Sequence, residues 1–114
     1  MNDNVLKCLY DIREAASAIK AFITGKDFDD YSTDELLRSG VEMKFEIIGE
    51  ALVRIRREDA GVLSRIRDHR DIISFRNILA HGYNSVDDRI VWGIIEESLD
   101  RLLANVNDLL LEGG

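Results

Sequence analysis

The chain has no proline, one cysteine and few aromatic residues, and no apolar stretch approaches the roughly 18 residues that cross a bilayer. The absence of proline removes the residue that most disrupts helix interiors, so long uninterrupted helices are permitted throughout. A single thiol, Cys8, excludes an internal disulfide framework and fits a reducing, cytoplasmic setting. Cys8 lies in an apolar helical stretch with no neighbour that clearly activates a thiol, and is expected to be inert packing. With few aromatics, aliphatic side chains must supply most of the core. The N-terminus carries no signal-peptide pattern. Excess positive charge is lacking too. A net charge of −7 argues against a generic nucleic-acid coat, whose affinity comes from surplus lysine and arginine.

What charge there is falls unevenly. From Arg54 to Arg76 seven arginines face four acids, a local balance of +3 that leaves −10 for the rest of the chain. Taken alone, such a run reads as a solvated helical face. It leads, however, into the most unusual motif in the sequence.

At 114 residues the chain is the size of one domain, residues 1–114. Val5, Leu9, Ile12, Ala16, Ile19 and Ile23 alternate at spacings of four and three, which predicts a first helix from about Asn4 to Thr24. Asp3 is placed to cap it and Gly25 to end it in a left-handed turn. After an acidic loop, Lys26 to Tyr31, Ser32 and Glu35 read as a capping box that opens a second long helix to about Arg57. Its stripe is Leu37, Val41, Phe45, Ile48, Leu52 and Ile55. Gly40 and Gly49 inside it each cost up to about 1 kcal/mol against alanine, so another backbone is expected to pass close by.

A short helix is expected near Gly61 to Ile66, a third main helix from about Asp68 to His81 ending at Gly82, and a fourth, whose start is marked by Ser85 and Asp88, reaching about Leu111. The stripe of the last is Val91, Ile95, Leu99, Leu102, Val106 and Leu109. Nothing reads as a strand and nothing repeats. The expected fold is all-α, an antiparallel bundle of three long helices plus one or two short ones.

On the third helix Ile72, Phe75 and Leu79 share the core face, while Arg70, Ser74, Asn77 and His81 form a polar stripe flanked by Ile73, Ile78 and Ala80. Apolar shoulders around polar groups imply an enclosed seam, hence a cleft or an interface. A histidine at a helix end can give or take a proton near neutrality. Asn77 lies one turn before it on the same face, and Arg76 adds a planar cationic fork suited to phosphate. Together these groups can cleave RNA without a metal or other cofactor: the histidine moves protons and the arginine stabilises charge on phosphorus. A histidine before a C-terminal glycine is also a common cap, and an arginine five residues earlier is often a surface ion pair. On an ideal helix Arg76 and His81 lie about 140° apart, so one phosphate meets both if the helix end unwinds, the arginine reaches round, or two chains share the site.

The run Arg76-Asn77-Ile78-Leu79-Ala80-His81-Gly82-Tyr83 resembles the Arg-polar-x-x-x-His-x-Tyr signature of HepT-like toxins, a branch of the HEPN superfamily. Phe45-Glu46-Ile47-Ile48-Gly49-Glu50-Ala51 is similar to that family's second-helix motif, and Ile90-Val91-Trp92 to the start of its fourth helix. The three blocks occur in the family's order over nearly the whole chain.

The resemblance implies a HEPN-like dimeric bundle acting as a metal-independent ribonuclease toxin on RNA, with a minimal nucleotidyltransferase antitoxin as partner. It implies Arg76 and His81 as the catalytic pair, Asn77 as the variable polar position beside them, and Tyr83 as the tyrosine adenylylated to silence the toxin. Arg70 and Ser74, on the same stripe, are the expected RNA contacts. Upstream the sequence departs from the family, with Asp68-His69 and Ser74 where many members carry Pro-Trp and Gly. A different class of function fits the same residues: a non-catalytic protein that docks a nucleotidyltransferase and presents nucleotide or RNA to it.

Overall fold

A computed structural model describes residues 1–81 and 86–113, and these form six helices. They are α1 (Asp3–Ile23), α2 (Phe28–Ser32), α3 (Glu35–Glu58), α4 (Ala60–Ser64), α5 (His69–His81) and α6 (Asp88–Gly113). No strand occurs among the described residues, and no helix there is long and apolar enough to cross a membrane.

The apolar stripes build the bundle. Val5, Leu9, Ile12, Ala16 and Ile19 of α1 are buried against Val41, Phe45, Ile48, Leu52 and Ile55 of α3 and the full α6 stripe from Val91 to Leu109. Ile23 and Leu37, at the ends of their stripes, are only partly buried. The side chains of Asn2 and Asn4 reach Glu58 at the far end of α3, and Gly40 near its start lies beside Phe22. The start of α1 also meets the end of α6, where Gly113 lies against Leu6 and Met1. Both α3 and α6 therefore run antiparallel to α1.

Helix boundaries differ from expectation where short polar side chains compete for the cap. Asn2, rather than Asp3, caps α1, its Oδ1 accepting from the Val5 amide at 2.8 Å. Gly25 does take up a left-handed conformation after α1, with φ of 75°. The acidic loop contains α2, whose start is fixed by a reciprocal capping box between Asp27 and Asp30. Ser32 closes α2 instead of opening α3, and Asp34 caps α3. Tyr31 and Phe28 of α2 pack on Trp92, at ring separations of 5.5 and 6.5 Å, which ties the short helix to α6. Asp59 ends α3 and caps α4, which occupies 60–64 and so starts one residue before and stops two short of the expected 61–66.

Asp68 precedes α5 and is buried. Its carboxylate accepts two hydrogen bonds from Arg101 of α6, from Nε and Nη2, each at 2.7 Å. This bidentate pair pins the start of α5 to α6 across the core edge. The hydrogen bond from Arg101 holds the Asp68 carboxyl below the usual carboxylate range. A depressed native pKa stabilises the fold above the unfolded value, and that contribution is lost as pH falls through the native value. Asp68→Asn is therefore expected to lower the unfolding midpoint at neutral pH. Its deficit against wild type in urea titrations should hold constant above about pH 5 and shrink below about pH 4. A deficit independent of pH would mean that the carboxylate charge contributes nothing.

Candidate functional site

Helix α5 is held by its inner face. Ile72 and Phe75 are buried, Leu79 is partly buried, and the Phe75 ring meets Phe45 of α3 edge-on at 5.3 Å. This packing turns Arg76 toward α3, where Gly49 makes room for it. A Cβ built on Gly49 would stand 2.3 Å from both Cβ and Cγ of Arg76. The mid-helix glycine thus admits a side-chain stem rather than the passing backbone expected from sequence. Gly40 is different: its hypothetical Cβ would make ordinary contact with the Phe22 ring at 3.4 Å.

Once past Gly49, the guanidinium is fixed on two sides. Its Nη2 donates to Glu50 Oε2 at 2.6 Å and its Nη1 donates to Asn77 Oδ1 at 3.2 Å. Glu50 also pairs with Arg54, one helical turn on, at 3.5 Å. The Arg76 side chain is 26% exposed and lines a cleft of about 560 Å³ with Glu46, Ile47, Glu50, Arg54 and Ala80. Five N–H donors on a guanidinium leave several for an incoming oxyanion after two bonds to protein. Glu50 sets the direction of the fork and balances its charge. Glu50 was not among the expected site residues. Its signal was there, in the block that contains Gly49, but helical periodicity cannot say which acid faces an arginine of another helix.

Cys8 borders the same cleft and is buried, and burial pushes its thiol up, as expected for a packing residue.

The polar stripe divides. Arg70, Ser74 and Asn77 line a second groove, of about 620 Å³, together with Arg56 of α3 and His69. Burial pushes the His69 imidazole below its ordinary value, and the charges of Arg70 and Arg56 push it further the same way. The two clefts share no residue, yet the Arg76–Asn77 hydrogen bond joins them. His81 is the last residue of α5, is exposed, and lines neither cleft. Tyr83, the helix end expected at Gly82 and the Ser85 half of the expected start of the last helix lie outside the described residues.

Within the single chain the stripe is not the enclosed seam expected: Arg70, Ser74, Asn77 and His81 are all exposed. Of the three apolar shoulders only Ile73 is buried, Ala80 is exposed, and Ile78 is 52% exposed. Helix α5 packs chiefly on α3 through its Ile72 and Phe75 face, and among the described residues no neighbouring helix covers Ile78.

The model of the family described as "Ribonuclease HepT-like" matches residues 12–109. The chain belongs to the HepT-like ribonuclease family. A Methanocaldococcus jannaschii protein named "Putative RNase MJ1380" is 29% identical over 98 residues, covering 86% of this chain and 89% of that one. "Probable ribonuclease HepT" of Thermococcus cleftensis is 32% identical over 94 residues, 82% of this chain and 84% of its own. "Putative RNase TTE0752" of Caldanaerobacter subterraneus is 30% identical over 88 residues, covering 77% and 78%. No solved structure matches the chain at a comparable level.

Membership of the HepT-like family makes ribonuclease the activity class and RNA the substrate class. In this HepT-like chain the Arg76 cleft sets Arg54 and Arg76 beside the carboxylates of Asp11, Glu46 and Glu50, whereas the groove beside it is lined by Arg56 and Arg70 with no carboxylate.

Proposed function

We propose that the chain is a metal-independent endoribonuclease toxin, with Arg76 and His81 as its catalytic residues and Asn77 supporting Arg76. The observation that carries this reading is the placement of Arg76. A partly buried guanidinium, seated over Gly49 and aimed by Glu50 and Asn77, is organised for a phosphate before any substrate binds. In the reaction the 2′-hydroxyl oxygen forms a bond to the neighbouring phosphorus and the bond from phosphorus to the 5′ oxygen breaks. His81 takes the hydroxyl proton or supplies one to the leaving oxygen, and Arg76 stabilises the charge on the phosphorane. The products are a cyclic phosphate and a 5′-hydroxyl.

Arg76 is turned toward α3 while His81 stands exposed at the end of α5, so a site that uses both is best completed by a second copy related by a two-fold axis. Ile78, half exposed on the same helix, would gain cover in such a dimer.

The remaining proposal is regulatory and rests on the resemblance of residues 76–83 to the HepT signature. A nucleotidyltransferase antitoxin transfers AMP from ATP to the Tyr83 hydroxyl, releasing pyrophosphate. The added phosphate brings negative charge two residues from His81 and competes with RNA for the same donors, while the nucleoside obstructs the strand. Incubation with the cognate nucleotidyltransferase, ATP and magnesium is expected to add AMP at Tyr83, read by mass spectrometry, and to stop cleavage. Tyr83→Phe is expected to stay toxic when the antitoxin is co-expressed. Neutralisation of that variant as complete as that of wild type would replace covalent silencing with simple complex formation. An intact chain that cuts no RNA, yet still binds the nucleotidyltransferase, would favour the docking-protein reading instead.

A further inference from the structure

The groove on the other side of Asn77 has a chemistry of its own. Arg56 comes to it from α3, Leu63 from α4, and His69, Arg70, Ile73 and Ser74 from α5. No carboxylate lines it. Neither Arg56 nor Arg70 is among the arginines paired with a carboxylate, which in the described residues are Arg54, Arg65, Arg76 and Arg101. In a chain of net charge −7, a groove that holds two exposed guanidinium groups and no carboxylate is locally cationic. Its apolar wall is firm, since Leu63 is 3% exposed and Ile73 7%. An imidazole at the margin adds a flat surface. Cationic forks at the rim, an apolar wall and a ring on which to stack match the two parts of a single-stranded nucleotide, its phosphate and its base.

The groove also leads somewhere. Asn77 belongs to it and accepts from Nη1 of Arg76, so a strand lying in the groove runs directly to the guanidinium that faces the first cleft.

We infer that this groove is a second RNA subsite, which holds nucleotides flanking the scissile bond: Arg56 and Arg70 take the phosphates, and His69 with the Leu63–Ile73 wall takes a base. The inference rests on the ribonuclease reading and deepens it, because it makes affinity depend on RNA on one side of the cut. It also gives His69, at the family's Pro-Trp position, a use in recognition.

The test is binding by fluorescence anisotropy of a labelled, uncleavable RNA of about ten nucleotides carrying 2′-O-methyl groups, against wild type and the Arg56→Ala/Arg70→Ala double variant. The dissociation constant of the variant is expected to rise at least about tenfold at low salt, since each arginine makes a charge-assisted hydrogen bond to phosphate. The slope of log affinity against log salt should fall by about 1.4, which is about 0.7 for each of the two single-strand phosphates that the variant no longer neutralises. Arg56→Lys/Arg70→Lys should keep most of the slope, showing that charge rather than folding is at issue. Unchanged affinity and slope in the alanine variant would overturn the subsite. Whether wild type cuts the unmodified RNA is read separately, so an inactive protein that still binds through Arg56 and Arg70 would sink the ribonuclease reading and leave the subsite standing.

Discussion

Arg76→Ala and His81→Ala are each expected to lose at least about a hundredfold in RNA cleavage, the usual cost of removing a charge-stabilising or proton-transferring group. Mixed one to one and allowed to exchange subunits, the two inactive proteins are expected to recover about a quarter of wild-type activity. Half of the dimers are then mixed, and in each of those one of the two shared sites is intact, with Arg76 from the His81 variant and His81 from the Arg76 variant, while the other lacks both. If both residues act within one chain, every site in the mixture lacks one of them and activity stays lost. The two variants should differ in stability. His81 is exposed at a helix end, so its alanine variant should unfold within about 0.5 kcal/mol of wild type. Arg76→Ala removes the stem over Gly49 and the partner of Glu50, and should show a measurably lower midpoint. Arg76→Lys is not expected to rescue, because a lysine cannot bond Glu50, Asn77 and a phosphate in the plane of one fork.

Gly49→Ala is expected to damage activity more than an added methyl at any other glycine of the described helices, since its approach is the tightest. The new carbon would fall 2.3 Å from Cβ and Cγ of Arg76, atoms at the root of the side chain that cannot move without α5. Overpacking of this kind costs about 1–3 kcal/mol. Alanine's better helix propensity returns up to about 1 kcal/mol, so net destabilisation should be modest. The effect on cleavage should be larger than the stability loss, because the guanidinium is displaced from Glu50 and Asn77 and catalysis depends on its position. Gly40→Ala, in the same helix but against the edge of the Phe22 ring at 3.4 Å, is the matched control and is expected to be neutral or stabilising. Equal activities for the two variants in a cleavage assay would mean that the Gly49–Arg76 approach is a packing detail.

Much of the fold could be read from period alone. The stripes of α1, α3 and α6 are long enough for spacings of three and four to repeat, and their central residues are buried. Helix α2 escaped because five residues give too little periodicity, and its capping box is built from two aspartates inside what looks like an acidic loop. Ser32 and Glu35 have the right spacing for a cap, but Asp34 outcompetes Ser32 for the start of α3. At the site, the motif located Arg76, Asn77 and His81, and the cost of a mid-helix glycine pointed to a close approach at Gly49. What spacing could not supply was the partner across helices. Glu50 faces Arg76 from another element, and Asp68, which looks like a departure from the family pattern, is a structural acid paired with Arg101 of α6. The supposed enclosure of the polar stripe failed for the same reason: a helical wheel shows which residues share a face, not what covers it.

Analysis of the cleavage products in excess EDTA tests the central claim most directly. If Arg76 and His81 drive attack by the 2′-hydroxyl, wild type should cut RNA at an undiminished rate in the chelator and leave cyclic phosphate and 5′-hydroxyl ends, and RNA with a 2′-deoxy group at the cut site should resist. Cleavage that stops in EDTA, or that leaves a 5′-phosphate, would place the chemistry on a metal-activated water and contradict proton transfer by His81.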